Sequence, residues 1–490
     1  MASKVKRDEL EKYQQNFAKT MADQDGLMKA TVGNITSATT STISSYFTNP
    51  EGNSAQIASY MNALYKKNGI VSGTIKYFQS LLTFNHSIYP EMTVKSGSEM
   101  SDDISEYIGA ANLLESLNLK YYAPYFLKQT LLNGVSFFYK VSDSTNATYI
   151  QFPVEWCRVY QMSNNVLQWE LDMSKLKEEQ KASLPKEITS AFEQYAAGNT
   201  QDEKKWTENK WYRLSDKAMA FSLDQSIMSD GAAVSEFASL ILDSIQLEKA
   251  KSNVDIKDTI DTIRILHSSI PVDKDGKPLM SSKTAKIYDS ALKRSLPKGI
   301  TGITSPLKIT NVPLNGSGNS KSFETVKQAQ EQLFLSTGTS SSVFGSSTTS
   351  SNIVKISVQK DANWLFTKVL PMFENYYNFE LSKYKSASKL IWKVRFIRQS
   401  NYTFKEDMQN YEKSISMGGS RLDYLAATGM SPSEVYGKLT MEQKMLKIDS
   451  IMLPKLTSHT MSSSEAGSGG VGRPPAENPT DDTDRISDSN

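Results

Sequence analysis

The spacing of apolar residues switches between helical and strand-like along this chain, and that order restricts the fold more than any other feature. From Ser54 to Leu82, apolar side chains recur every three to four residues with a break near Asn68-Gly69, which predicts two packed helices. Residues 102–132 predict a second helical block, broken or bent at Pro124. Short β-rich runs at 134–173, separated by turn residues, predict an antiparallel meander. Helical and strand-forming blocks that are separated in this way predict an α+β fold.

The second half of the chain predicts a small αβ insertion between long helices. The pattern gives, in order, strand-like sequence at 206–221, a helix at 229–251, a strand at 262–270, a helix at 281–296, a strand at 307–312, a helix at 323–335, a loop at 336–352, a helix at 353–384, a strand at 389–397 and helices at 404–448 with a break at 417–419. Pro371 is predicted to kink the helix at 353–384, because an interior proline costs about 3 kcal/mol in a straight helix. Residues 461–490 are rich in Ser, Gly, Pro and Asp, which predicts a disordered tail.

Composition and charge exclude several classes of protein. No stretch approaches the roughly 18 apolar residues of a membrane helix, so we expect no membrane contact. Cys157 is the only cysteine, which excludes an intrachain disulfide and a cysteine-rich zinc site and favours an intracellular setting. The net charge is +2, and residues 461–490 hold six acids against two arginines, which leaves about +6 on the rest of the chain. A balance so close to neutral predicts only local or loose contact with nucleic acid.

The residues that could support catalysis are few and scattered. The three histidines, His86, His267 and His459, lie far apart in the sequence, and no carboxylate stands near any of them at metal-ligand spacing. Two carboxylate pairs fit other roles, since Asp102-Asp103 suits a helix cap and Asp481-Asp482 falls in the acidic tail. The Gly-rich segments are not followed by Gly-Lys-Ser/Thr, so no phosphate-binding loop is present. We therefore expect no catalytic residue, no metal and no cofactor.

In the order of its elements the chain resembles the portal proteins of tailed bacteriophages over most of its length. The residues that carry the resemblance are Tyr60 to Gly69 with Tyr77 to Pro90, the helix at 229–251 with the insertion after it, Lys321 to Tyr384 with Leu370-Pro371-Met372-Phe373-Glu374-Asn375, and Tyr424 to Gly429 followed by Met452 to Thr460 and Gly472-Arg473-Pro474.

The resemblance implies a portal fold with an α/β wing, a helical stem, a small α/β clip, a long kinked helix and a helical crown. Its parts would be the wing at 1–228, a stem helix at 229–251, the clip at 252–320, a second stem helix at 321–335, a tunnel loop at 336–352, the kinked helix and a wing strand at 353–403, the crown at 404–460 and the tail at 461–490.

The function that the resemblance implies is a ring, usually of twelve subunits, at one vertex of the capsid, through which double-stranded DNA is packaged and ejected. The implied partners are other copies of the chain, the terminase large subunit, a head-completion or connector protein, and the major capsid or scaffold protein. The implied location is the virion, and the host cytoplasm during assembly. Two other functions stay open: a helical scaffold or adaptor of the virion without a DNA channel, and a nucleic-acid-processing enzyme.

The loop at 336–352 is the first candidate site. It contains eight serines and four threonines, no charged residue, and Val343-Phe344 at its centre. DNA that must move through a channel has to be held weakly, because each neutralised phosphate adds salt-dependent affinity. We expect Ser341, Ser342, Val343, Phe344, Ser346 and Ser347 to face the duplex, with an ordinary surface loop as the alternative.

Basic residues form the second candidate site. Residues 277–308 contain a single acid and are the most basic stretch of the chain, with Lys277, Lys283, Lys286, Lys293, Arg294 and Lys298 as candidates for contact with DNA or an acidic partner surface. A solvated helix face is the alternative. Lys249 and Lys251 either line the channel or complement the dipole at the end of the helix predicted for 229–251. The six tryptophans are predicted to be core residues and not base-stacking platforms.

Overall fold

The structure of the chain is a computed structural model. It describes residues 40–91, 104–143, 146–224, 227–230, 232–262, 264–295, 300–305, 319–344, 351–385 and 390–448. The described residues as far as Ser433 belong to one compact unit, and those from Glu434 onward belong to a second.

The first helices lie where apolar spacing predicted them. They are α1 (Thr40–Tyr46), α2 (Ser54–Lys67), α3 (Gly69–Leu81), α4 (Ser105–Ser116) and α5 (Leu119–Asn133). The break between α2 and α3 is at Asn68, whose side chain caps α3 by accepting from the backbone N–H groups of Ile70 and Val71. The predicted Asp102-Asp103 cap lies outside the described residues. The prediction that the block breaks at Pro124 is wrong, because the break is at Asn118 in left-handed conformation and α5 continues through the proline.

An antiparallel sheet follows α5, and the order of its strands in space differs from their order in the sequence. Its strands are β2 (Val135–Ser142), β3 (Ala147–Phe152), β4 (Cys157–Ser163), β5 (Val166–Asp172), β6 (Trp206–Thr207), β7 (Trp211–Arg213) and β8 (Ala218–Ser222), with α6 (Lys186–Ala196) between β5 and β6. The spatial order is β3-β2-β8-β5-β7-β6, and β4 pairs with β5. The predicted simple meander is therefore wrong, since β8 lies between the β2–β3 and β4–β5 hairpins. Four of its five residues are buried, as expected for a strand covered on both faces.

The sheet separates two hydrophobic cores. Neighbouring residues of a strand point to opposite faces, so Phe138 joins the core shared with the helices while Phe137 and Trp169 join the core under α6. Lys140 of β2 forms a buried ion pair with Glu380 of the long helix described below. Burial lowers the pKa of this lysine, and Glu380 partly offsets that effect. The pair thus ties the sheet to the helical layer.

The helix predicted for 229–251 has different limits in the structure. A short α7 (Ile227–Asp230) is followed by non-helical residues, and α8 runs over Leu240–Thr262. The apolar residues that suggested an earlier start are buried for another reason, because Ala233 packs in the core under α6 and Phe237 in the core shared with the helices. Tertiary contacts and not helical periodicity explain their spacing.

The insertion after α8 is a parallel β pair joined by a helix. It consists of β9 (Arg264–Ser269), α9 (Ser282–Ser295) and β10 (Ile300–Ser305). The predicted helix is confirmed to within a residue at each end, but the second strand lies at 300–305, before the predicted position. Residues 307–312 lie outside the described residues.

The chain then forms α10 (Asn319–Ser336) and α11 (Ser351–Leu381). The long helix α11 runs through Pro371 without a break. Its neighbours Val369, Leu370 and Phe373 are buried, so packing offsets the hydrogen bond that the proline cannot donate. A bend at this position stays a prediction.

The end of the first unit packs on a second, small sheet. There β1 (His86–Glu91) pairs with β11 (Ile391–Phe396) in antiparallel register, and α12 (Phe404–Ser416) and α13 (Arg421–Ala427) follow. The predicted break is confirmed between α12 and α13, where Gly418 has a positive φ. Asp423 of α13 accepts a hydrogen bond of 2.7 Å from Ser87 of β1. The second unit begins inside α14 (Pro432–Thr440), and Met441–Met445 add a turn of π-helix. The predicted tail at 461–490 lies outside the described residues.

Candidate channel and docking surfaces

Helices α8 and α10 lie side by side and carry the insertion away from the core. Leu240 and Ile245 near the start of α8 are buried, as are Leu333 and Phe334 near the end of α10. Beyond Ala250, the described side chains of α8 are mostly exposed, and so are those of α10 before Leu333. The two helices thus leave and re-enter the core at neighbouring points.

The basic patch lies on α9 and the turn before it. Its described members, Lys277, Lys283, Lys286, Lys293 and Arg294, are all exposed, and Lys298 lies outside the described residues. Lys293 pairs with Asp289 at 2.8 Å, one turn away on the same helix. The turn is fixed by Asp273, whose carboxylate accepts from the backbone N–H groups of Asp275 and Lys277. The structure therefore brings the predicted basic residues to one exposed surface.

Apolar residues on the same surface were missed by sequence reasoning. Ile287 and Tyr288 are 64% and 62% exposed, and Leu279 is 68% exposed. The half-buried residues of α9 are Ala285, Asp289 and Leu292, at helical spacing on another face. These exposed apolar residues are the signal that could have been read, because a helix covering one strand pair needs only one apolar face. Basic and apolar groups together are typical of a protein-binding surface.

Lys249 and Lys251 are not at a helix end. Because α8 continues to Thr262, both lie near its middle, and the dipole explanation for them is wrong. Lys251 pairs with Glu248 at 3.1 Å across an exposed turn, and such a pair contributes little to stability. Contact of either lysine with DNA stays a prediction.

The inner part of the Ser/Thr loop is packed against the core. Ser341–Phe344 form a turn of 3-10 helix, and all four residues are half-buried. The Phe344 ring lies 5.8 Å from that of Tyr77 and 5.7 Å from that of Phe334. Val343 and Phe344 are thus engaged within the chain and do not form the exposed apolar bump that we expected at the loop centre. Ser346 and Ser347 lie outside the described residues, so their contact with DNA stays a prediction.

A second group of exposed apolar side chains lies at the inner ends of α10 and α11. Leu335 is 73% exposed, and Ile353 and Ile356, one turn apart on α11, are 55% and 65% exposed. Close to them, Lys355 pairs with Glu406 of α12 at 2.5 Å. Large aliphatic side chains grouped in this way usually mark a surface that another protein covers.

Five of the six tryptophans lie in the cores or pack against them, as predicted. Trp169, Trp206 and Trp392 are buried, and Trp156 and Trp364 pack against the cores from their edges. The Trp211 ring is covered by the guanidinium of Arg158, 4.4 Å from the ring centroid. Because the guanidinium lies over one face of the Trp211 ring, that face is unavailable for base stacking.

An open cleft lies beside Pro371. Its volume is about 410 Å³, and it is lined by the β4–β5 turn, β8 and α11.

Burial lowers the pKa of His86 to about 4, so this histidine is neutral near pH 7. Among the described residues, no three His, Cys, Asp or Glu side chains are grouped so that they could hold a metal ion. Within the same residues no helix is long and apolar enough to cross a membrane.

Comparison with known proteins gives only remote likeness, and this in structure rather than in sequence. No family model matches the chain, and no curated protein matches it. Among solved structures, the chain is similar to a chain from the virion of a native gene transfer agent particle, with 11% sequence identity and a TM-score of 0.40. The match covers 74% of this chain and 89% of that chain. We draw no conclusion about function from a likeness this remote.

Proposed function

We propose that the chain is the portal subunit of a tailed bacteriophage, and that copies of it form a ring around a channel for double-stranded DNA. The observation that carries the proposal is the excursion built from α8, α9 and α10, which extends from an α+β body and leads through a Ser/Thr loop into a long helix. The described side chains of α8 beyond Ala250 and of α10 before Leu333 are mostly exposed. Such a projection gains stability when neighbouring copies pack around it.

The exposed apolar residues support self-association. Ile353 and Ile356 form a stripe on α11, while Leu279, Ile287 and Tyr288 lie on the insertion, so each copy offers separate apolar areas. Contact between different surfaces of identical chains is heterologous, and it gives a closed ring when the rotation between copies is suitable.

The proposed ring places each candidate surface in a role. The loop between Phe344 and Ser351 is uncharged, which suits a channel wall that DNA must slide along. The basic and apolar surface on α9 suits docking of the terminase large subunit or a head-completion protein. The sequence has no phosphate-binding loop, so in this proposal a separate ATPase drives packaging and the portal subunit is not itself an enzyme. Its place is the capsid vertex, beside the major capsid or scaffold protein, after assembly in the host cytoplasm.

Sedimentation of the purified chain tests the proposal. The wild-type chain is expected to sediment as a closed oligomer, and Ile353→Glu with Ile356→Glu is expected to reduce it to smaller species, because charges do not tolerate burial in an interface. Met417→Glu is the matched control, since Met417 is 87% exposed in the turn after α12. A wild-type monomer at all concentrations would favour the scaffold or adaptor function instead.

A further inference from the structure

The inner end of the Ser/Thr loop is tied to the core by a buried polar cluster. The Tyr77 hydroxyl on α3 donates to Oδ2 of Asp361 on α11 over 3.0 Å, and this carboxyl is 4% exposed. Thr337 and Thr339, on either side of Gly338, are also buried. Gly338 has a φ of +70°, so the chain turns sharply between the two threonines. Three segments that are distant in sequence therefore meet at one carboxyl.

One hydroxyl group of the cluster lacks a hydrogen bond. The Thr339 hydroxyl is buried beside Asp361, yet it has no partner with good hydrogen-bond geometry among the described residues. Other contacts also hold this segment: Lys360 donates to the carbonyl of Gly338 over 3.2 Å, the Thr337 hydroxyl donates to the carbonyl of Phe334 over 2.7 Å, and Phe344 packs edge-on against Tyr77. A buried hydroxyl without a partner costs free energy, so the segment is held less firmly than its burial suggests.

Burial makes the ionised form of Asp361 unfavourable while the cluster is closed. Burial raises the pKa of this carboxyl, while Tyr77, Thr339 and the charge of Lys360 oppose the increase. The titratable groups facing it are Tyr77 and Lys360, with Tyr402 behind the Tyr77 ring. Because the folded pKa is raised, the stabilising contribution of the protonated form is complete below the unfolded pKa and is lost as the pH rises through the folded pKa. Ionisation therefore favours opening of the cluster.

We propose that Tyr77, Asp361 and Thr339 form a releasable latch that holds residues 337–344 against the core and opens without unfolding the rest of the unit. The latch belongs to a single chain and needs neither a ring nor DNA. Opening of one segment costs less free energy than unfolding of the whole unit, and the buried Thr339 hydroxyl without a hydrogen bond lowers that cost further. When the latch opens, the inner end of the loop and the Phe344 ring leave the core.

Hydrogen exchange of the full-length chain, followed by mass spectrometry on the peptide covering 337–344, measures this opening directly. Asp361→Ala removes the acceptor and is expected to speed exchange of this peptide about fivefold to tenfold, the effect of losing one buried hydrogen bond. Tyr77→Phe removes only the donor hydroxyl and is expected to act in the same direction. Asp361→Asn keeps an acceptor without the charge, so its exchange is expected to be equal to or slower than that of the wild type.

Two control variants separate the latch from general damage. Tyr402→Phe removes a hydroxyl whose ring lies 5.8 Å from that of Tyr77 but whose oxygen faces Ser80. Asp172→Asn changes another buried aspartate, whose carboxylate accepts a hydrogen bond from the backbone N–H of Ser174. Neither is expected to change exchange at 337–344. The proposal is overturned if Asp361→Ala and Tyr77→Phe leave this peptide unchanged, or speed it only together with peptides from α3 and β2.

A pH series completes the test. After correction for the intrinsic pH dependence of exchange, opening of 337–344 in the wild type is expected to increase with pH, whereas opening in Asp361→Asn is expected to stay constant. A pH dependence that survives in Asp361→Asn would show that another group controls the segment, and would overturn the role given to Asp361.

Discussion

At the scale of single residues, Gly134 fixes the junction between α5 and the sheet. It follows α5 with a φ of +80°, and a Cβ at this position would lie 2.3 Å from the backbone carbon of Val234. The segment that it contacts leads into α8. Close backbone approach at this glycine therefore determines where the α8–α10 projection leaves the body of the unit.

Replacement of Gly134 by alanine is expected to be strongly destabilising. A side chain here adds a backbone collision to the cost of a left-handed φ, and the free energy of unfolding should fall by about 3 kcal/mol or more. Gly198→Ala is the control, because Gly198 has a similar φ of +74° with no atom near its Cβ position, and it should cost about 1 kcal/mol. Urea unfolding of both variants measures the difference, and equal losses would contradict the role given to Gly134.

At the scale of elements, local patterns predicted what local interactions determine. The break at Asn68, the strands from Val135 to Asp172 and the helix α9 could be read from spacing and turn residues, because each depends on its own sequence. The start of α8 could not, since Phe237 owes its burial to packing on Phe78, 5.2 Å away between rings. Likewise β8 occupies the middle of the sheet through pairing with distant strands.

The candidate sites also divide into those that local sequence predicts and those that depend on long-range packing. The basic residues of α9 are neighbours in sequence, so their common surface was predictable. Tyr77 and Asp361 are separated by 284 residues, and nothing in either local sequence marks the contact. Phe344 was expected at the loop centre facing DNA, but its place against Tyr77 depends on the same long-range packing.

The charge of α9 leads to a prediction about DNA. Replacing Lys283, Lys286, Lys293 and Arg294 by Gln is expected to weaken binding of duplex DNA of any sequence, and to reduce the slope of log affinity against log salt by about 3. Replacing the exposed Lys175, Lys186, Lys204 and Lys205 by Gln removes the same charge elsewhere and should change the slope less. Fluorescence anisotropy over a salt series measures both. Equal slopes in the two variants would favour a solvated face or a protein partner for α9.

At the scale of the whole molecule, the chain has well-packed cores but leaves apolar groups exposed on α9, α10 and α11. A monomer gains nothing from these groups, whereas neighbouring copies in a ring would bury them. The latch at Asp361 would then repeat around the ring, at the inner end of each Ser/Thr loop.

Negative charge in the loop is expected to impair packaging without affecting assembly. Ser346→Asp with Ser347→Asp adds two charges per copy facing the proposed channel, and repulsion of the DNA phosphates should lower the number of packaged genomes by about tenfold or more. Ser346→Ala with Ser347→Ala, at the same positions, should package nearly as well as the wild type. Genome copies per purified particle measure the effect, and equal packaging by the two double variants would remove the loop from the channel wall.

Electron microscopy of the purified chain tests the central claim most directly. The portal proposal predicts closed rings of about twelve copies with a central opening wide enough for a DNA duplex, which requires that the rotation between heterologous contacts closes. Compact single chains or open filaments, at concentrations where the chain is otherwise soluble, would contradict the portal assignment.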